Sequence, residues 1–145
     1  MSKNNTVLTV FGMAIFGMGV LTGKITQFTG VAEAQSADRV FELRTYTANP
    51  GHLAELNARF GDHTVELFER HGMMNIGYFV PQDSPLSQNT LVYLLAHDSR
   101  EAAQASWDGF RSDPDWQAVR ASSTEGMVDN IESVFLSPTS YSQLR

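Results

Sequence analysis

The segment from Thr90 to Ala96, TLVYLLA, limits the possible folds more than any other part of the chain. Its side chains alternate as in a strand, with Leu91, Tyr93 and Leu95 on one side and Val92, Leu94 and Ala96 on the other. Both sides are apolar, which is the pattern of a strand buried twice. The chain has 145 residues, enough for one ordinary domain. One such domain covers a single face of a sheet with its own helices, so the other face calls for a second copy of the chain. On this reading Val92, Leu94 and Ala96 pack under the helices, and Leu91, Tyr93 and Leu95 meet the partner.

The flanking sequence supplies the remaining elements. Val40 to Thr47, VFELRTYT, alternates with period two and is rich in β-branched and aromatic residues, so it reads as a strand. Asn49-Pro50-Gly51 ends it. From His52 to His71 the apolar residues Leu53, Leu56, Phe60 and Leu67 share one helical stripe, and Gly72 stands at the C-cap. Gly61 interrupts that helix at a cost of about 1 kcal/mol relative to Ala. Asn75 to Val80 is a second strand, Pro81 to Gln88 a loop, and Thr90 to Ala96 the third strand. Asp98 and Glu101 form a capping-box pattern that opens a helix through Trp107 and Phe110. Asp113-Pro114 starts a short helix carrying Trp116 and Val119, and Asn130 to Leu136 is the last strand, closed by Pro138. The order β-α-β-β-α-β places the chain in the α+β class, with the ferredoxin-like split βαβ pattern and one antiparallel sheet.

Charge divides the chain in two. The formal charge is −6, with residues 1–34 at +1 and residues 35–145 at −7, and both lysines lie in the first segment. Lys3, the apolar run from Val7 to Leu21 and the small residues of Ala32-Glu33-Ala34 together describe a secretory signal peptide over residues 1–34. The expected location is therefore periplasmic or secreted, the alternative being a membrane anchor formed by residues 7–23. After cleavage no membrane attachment is expected, and with the lysines gone Schiff-base chemistry is excluded. An acidic body without a basic stripe argues against nucleic acid as a partner. The absence of cysteine excludes disulfides, thiolate nucleophiles and cysteine zinc sites. His52, His63 and His71 lack the i, i+4 spacing of a helical metal site, so no metal is expected.

Glu42-Leu43-Arg44-Thr45-Tyr46 with Pro50-Gly51 is followed by Arg70-His71-Gly72, Val92-Tyr93-Leu94, Asp113-Pro114-Asp115-Trp116, and Glu132-Ser133 with Leu136-Ser137-Pro138. In this order and spacing these short motifs resemble the NIPSNAP family. Tyr141 and Gln143 depart from the pattern, where Phe and Pro are common. The resemblance implies a domain over residues 39–145 that pairs sheet to sheet into a dimeric α/β barrel. It also implies kinship with cofactor-free monooxygenases and stress-response proteins, and no cofactor is expected.

Within that frame Leu43 and Thr45 suit the helix-covered face, which would point Glu42, Arg44 and Tyr46 into the barrel between the subunits. Arg44 then either pairs internally with Glu42 or holds an anionic or carbonyl group of a ligand, with Tyr46 as hydrogen-bond donor. His71 reads as a helix-end histidine favoured by the macrodipole, or as a general base if it faces a cavity. Tyr78 and Tyr93 complete the set of pocket candidates. Trp107, Phe110 and Trp116 read as core. No strong catalytic constellation is present, so the leading expectation is a small-molecule-binding or interaction domain taking an apolar or carbonyl-containing ligand. The alternative is a cofactor-independent monooxygenase or isomerase using the barrel cavity. N-terminal sequencing of the exported protein is expected to begin at Gln35; an intact Met1 on membrane material would reveal an anchor instead.

Overall fold

The computed structural model describes residues 39–145; residues 1–34, expected to be a signal peptide, lie outside the described residues. Four strands form one antiparallel sheet: β1 (Val40–Ala48), β2 (Met74–Phe79), β3 (Thr90–His97) and β4 (Val128–Leu136), in the order β2-β3-β1-β4. One face is covered by α1 (Leu53–Arg59), α2 (Val65–Arg70), α3 (Arg100–Ser112) and α4 (Pro114–Ser122). The architecture is the expected ferredoxin-like α+β arrangement.

The helix expected from His52 to His71 is one rod with a wide turn inside it. Between α1 and α2, Phe60–Thr64 is π-helical, with the Val65 N–H reaching the Phe60 carbonyl. The Thr64 hydroxyl donates to the Arg59 carbonyl at 3.2 Å, satisfying an acceptor that the wide turn frees. Helix α3 starts one residue later than its capping-box pattern suggests. Because β3 runs on to His97, Asp98 is a linker and Ser99 becomes the N-cap, accepting from the Ala102 N–H at 3.1 Å. At α4 the expectation holds: Asp113 caps it, accepting from the Asp115 N–H at 2.8 Å, with Pro114 in the first turn.

The two sheet faces are the reverse of those expected. Tyr46 packs edge-on against Phe60 at 5.6 Å, and the Arg44 guanidinium lies 4.3 Å from the centre of the Trp107 ring on α3. The even-numbered residues of β1 therefore face the helices. Register carries this across the sheet, since directly opposed residues share a face. Glu42, Arg44 and Tyr46 oppose Leu95, Tyr93 and Leu91 on β3, and Phe135, Ser133 and Ile131 on β4. Leu91, Tyr93 and Leu95, expected at the partner interface, are instead buried in the core of a single chain. Leu43, Thr45, Val92 and Leu94 lie on the outer face, together with Val134, Glu132 and Phe79. The physical reason is size and polarity together. The gap between sheet and helices is filled by the rings of Tyr46, Tyr78, Tyr93, Phe60, Phe68 and Phe110, and the charges on that side bury each other.

That burial centres on Glu42, which is 1% exposed. Its Oε1 accepts from Arg44 Nη1 and Ser133 Oγ, each at 2.7 Å. Its Oε2 accepts from Trp107 Nε1 at 2.7 Å and meets His97 Nε2 at 3.1 Å. Four donors from β1, β3, α3 and β4 thus converge on one carboxylate. Burial alone would raise its pKa, but the bonds from His97, Ser133, Trp107 and Arg44 prevail and bring it down to about 2. Because this lies below the ordinary carboxylate value, the charge stabilises the fold above about pH 4.5, and the contribution is lost as pH falls toward 2. Its size is roughly 3 kcal/mol. Glu42→Gln should therefore be less stable than the unsubstituted protein at pH 7 by about 3–5 kcal/mol, since it also strands the Arg44 charge. Urea unfolding at successive pH values should show the gap narrowing between pH 4.5 and 2, on the acid side only. A gap independent of pH would contradict the ionised network.

Candidate functional site

Above the Glu42 network the sheet and helices do not close completely. A cavity of about 590 Å3 lies between them. Its sheet wall is Arg44, Tyr46, Val128 and Ile131 on β1 and β4. Arg59, Phe60 and Thr64 bring the end of α1 and the π-turn to it, and Trp107 and Phe110 come from α3. Arg111 at the end of α3, Trp116, Arg120 and Ala121 on α4, and the connection from Ser123 to Met127 complete the wall.

Each wall has a local cause. The wide turn at Phe60–Thr64 lets Arg59 and Phe60, consecutive residues, both reach the cavity. Arg59 is half-buried with its guanidinium 5.5 Å from the centre of the Trp116 ring, and its Nε is buried without a partner. Trp116 in turn packs on Phe110 at 4.4 Å. The turn before β4 is shaped by Gly126, whose φ of +72° suits glycine, and Asn49 is hydrogen-bonded to the Gly126 carbonyl. Arg44 gives Nη1 to Glu42, while its Nε is buried without a partner. Burial opposes the Arg44 charge, but Tyr46, Tyr93 and the Glu42 carboxylate outweigh it and hold the guanidinium more firmly protonated than usual.

Of the five residues singled out from sequence, Arg44 and Tyr46 line the cavity. They do so under the helices of one chain and not in a space between subunits, because of the reversed sheet faces. Tyr93 lies directly beneath, fully buried, with its ring 5.4 Å from that of Tyr46 and its hydroxyl lacking a partner; burial pushes its pKa well up. Tyr78 stacks on Tyr93 at 5.3 Å and donates to Asn75, away from the cavity. Burial raises its pKa as well.

His71 does not line the cavity. Its Nε2 lies 2.7 Å from Asp113 Oδ2, clamping the end of α2 to the cap of α4. Arg70 reinforces the clamp through Asp115 at 2.6 Å. The hydrogen bond from His71, above all, holds the Asp113 carboxyl below its usual range. Gly109 is needed beside this clamp, because a Cβ there would come within 2.8 Å of His71 Nδ1.

Sequence reasoning missed Arg59, Arg111 and Arg120 as wall residues and read Trp107, Phe110 and Trp116 as core alone. A signal existed for Arg59. It follows Leu56 by three positions and precedes Phe60, so a cation sits inside an apolar helical stripe.

Comparison with known proteins places this geometry. The family model described as NIPSNAP matches residues 41–143. A NIPSNAP-like domain protein from Burkholderia xenovorans, itself uncharacterised, superposes with a TM-score of 0.66 at 22% identity, covering 73% of this chain and 90% of that one. A NIPSNAP family protein of unknown function from Agrobacterium tumefaciens gives 0.67 at 21% identity, over 75% of this chain and 96% of that one. A second protein of that family from the same organism gives 0.66 at 23%, over 74% and 99%. These likenesses establish the shared fold. Among curated proteins nothing matches. With the family model spanning nearly all of the described residues, the chain belongs to the NIPSNAP family.

Proposed function

We propose that this is an exported small-molecule-binding protein, a homodimer in which each subunit holds one ligand between its sheet and helices. The observation that carries the reading is the cavity itself, whose volume of about 590 Å3 falls in the range of ligand pockets. Its walls combine aromatic rings with a few polar groups, as ligand pockets do. Among the lining residues there is no histidine, and the single carboxylate is Glu125 on the exposed connection before β4. Proton abstraction requires a positioned base, so this wall favours binding over monooxygenase or isomerase chemistry. Export rests on the apolar run and the Ala32-Glu33-Ala34 motif.

Binding is testable with a neutral apolar fluorophore such as Nile red. Ile131 enters the cavity from β4 and is 46% exposed, so a larger residue there is tolerated by the fold and fills the space. Ile131→Trp should weaken dye binding roughly tenfold or more, with an unchanged circular dichroism spectrum. Equal binding by both proteins would place the dye elsewhere and remove the support for this cavity.

The homodimer is supported by the outer sheet face. Phe79 is 60% and Val134 53% exposed there, next to the part-buried Leu43, Val92 and Leu94. Contiguous exposed apolar surface marks an interaction site, and its coverage is worth on the order of 10 kcal/mol before association costs. Light scattering on residues 35–145 should report twice the chain mass. Val92→Asp with Leu94→Asp should give monomers. A soluble, folded monomer without substitution would refute the dimer and leave the cavity intact, since one chain builds it.

A further inference from the structure

Resting on the reading of the cavity as a ligand site, we infer that its ligand is an organic anion: a carboxylate carried on a flat aromatic body. The charge distribution points there first. Residues 35–145 carry −7, yet four of their eight arginines, Arg44, Arg59, Arg111 and Arg120, line this one cavity. Only Glu125 opposes them in the wall. An acidic protein has concentrated its cations where the ligand would sit.

The bonding of these arginines separates structural charges from available ones. Arg111 is engaged with Asp108 at 2.7 Å. Arg44 uses Nη1 on Glu42, whose two oxygens already serve four donors, so its other amino group, Nη2, has no protein partner among the described residues. Neither Arg59 nor Arg120 makes an ion pair among the described residues, and the Nε of Arg59 is buried without a hydrogen bond. Burial pulls the Arg59 pKa below its ordinary value, against the opposing charge of Glu55 and with a smaller contribution from Arg120. A half-buried guanidinium without an ion pair carries a desolvation cost, and a bound anion offsets it.

Shape supplies the rest. A guanidinium presents a planar fork that matches a carboxylate in a bidentate pair. Around it Trp107, Trp116, Phe110 and Tyr46 offer ring faces and edges, which suit a flat apolar body. In this arrangement Arg44 meets the carboxylate from the sheet side and Arg59 and Arg120 from the helix side, while the body of the ligand lies along the tryptophans.

The experiment is displacement of Nile red from the full mature chain by benzoate, 1-naphthoate and 4-biphenylcarboxylate, each beside its neutral amide. At least one acid should bind roughly tenfold tighter than its amide. Arg59→Gln and Arg120→Gln should each weaken the acid more than its amide and so erase most of that preference. Arg100→Gln, which removes the same charge outside the cavity, should keep the preference within about twofold. Acids and amides binding alike, with Nile red still bound, would overturn the anion and leave the ligand site standing. Failure of Nile red and of every acid to bind would overturn the ligand site, and the anion with it.

Discussion

One buried carboxylate organises this protein. Glu42 accepts hydrogen bonds from its own strand, from both neighbouring strands and from α3. A single charge placed there without partners would cost several kcal/mol, and a single partner would not recover it. Four donors do, and each fixes something else. Trp107 anchors α3 to the sheet, Ser133 sets the depth of β4, and Arg44 is held with its free end toward the cavity. Because the network is complete only when all four elements are in register, it specifies one arrangement of helices over the sheet more sharply than apolar packing would.

The elements themselves were legible from sequence, and so was their order. Period-two patterns mark β1 and β3, and the Asp113-Pro114 start of α4 follows from side-chain capping and the fixed φ of proline. Which face of the sheet lies inside was not legible. Alternation divides a strand into two sets but does not say which set is covered. In β1 the usual ranking favours Leu43 and Thr45 as core over Glu42 and Arg44, and the ranking fails because it scores residues singly. Glu42 and Arg44 are tolerable in the core only as a pair with Trp107, His97 and Ser133, residues 55 to 91 positions distant from Glu42. The same non-local dependence hid Arg120, an exposed helix residue that lines the cavity together with Trp116 and Arg59.

The reversal changes what the two faces of the sheet do. Had Arg44 and Tyr46 pointed outward, any pocket would have been built by two chains and would have vanished on dissociation. As folded, the cavity is built by one chain, and the outer face carries Leu43, Val92, Leu94 and Val134 beside Thr45 and Glu132, a mainly apolar surface suited to packing. The cavity and this apolar surface thus lie on opposite sides of one sheet.

That separation does not make the two sides independent. β1 lies in the middle of the sheet, paired with both β3 and β4, and its residues alternate between the outer face and the cavity floor. A change in strand twist that improves packing at Leu43 or Thr45 necessarily moves Arg44, which sits between them. Arg44 is in turn tied to Glu42, and through it to Trp107 in the opposite wall of the cavity. Packed interiors transmit such displacements because they have little free volume to absorb them. The floor and one wall of the cavity are therefore coupled to the outer face through a single strand and a single carboxylate, while Arg59 and Arg120 stand on helices outside this network.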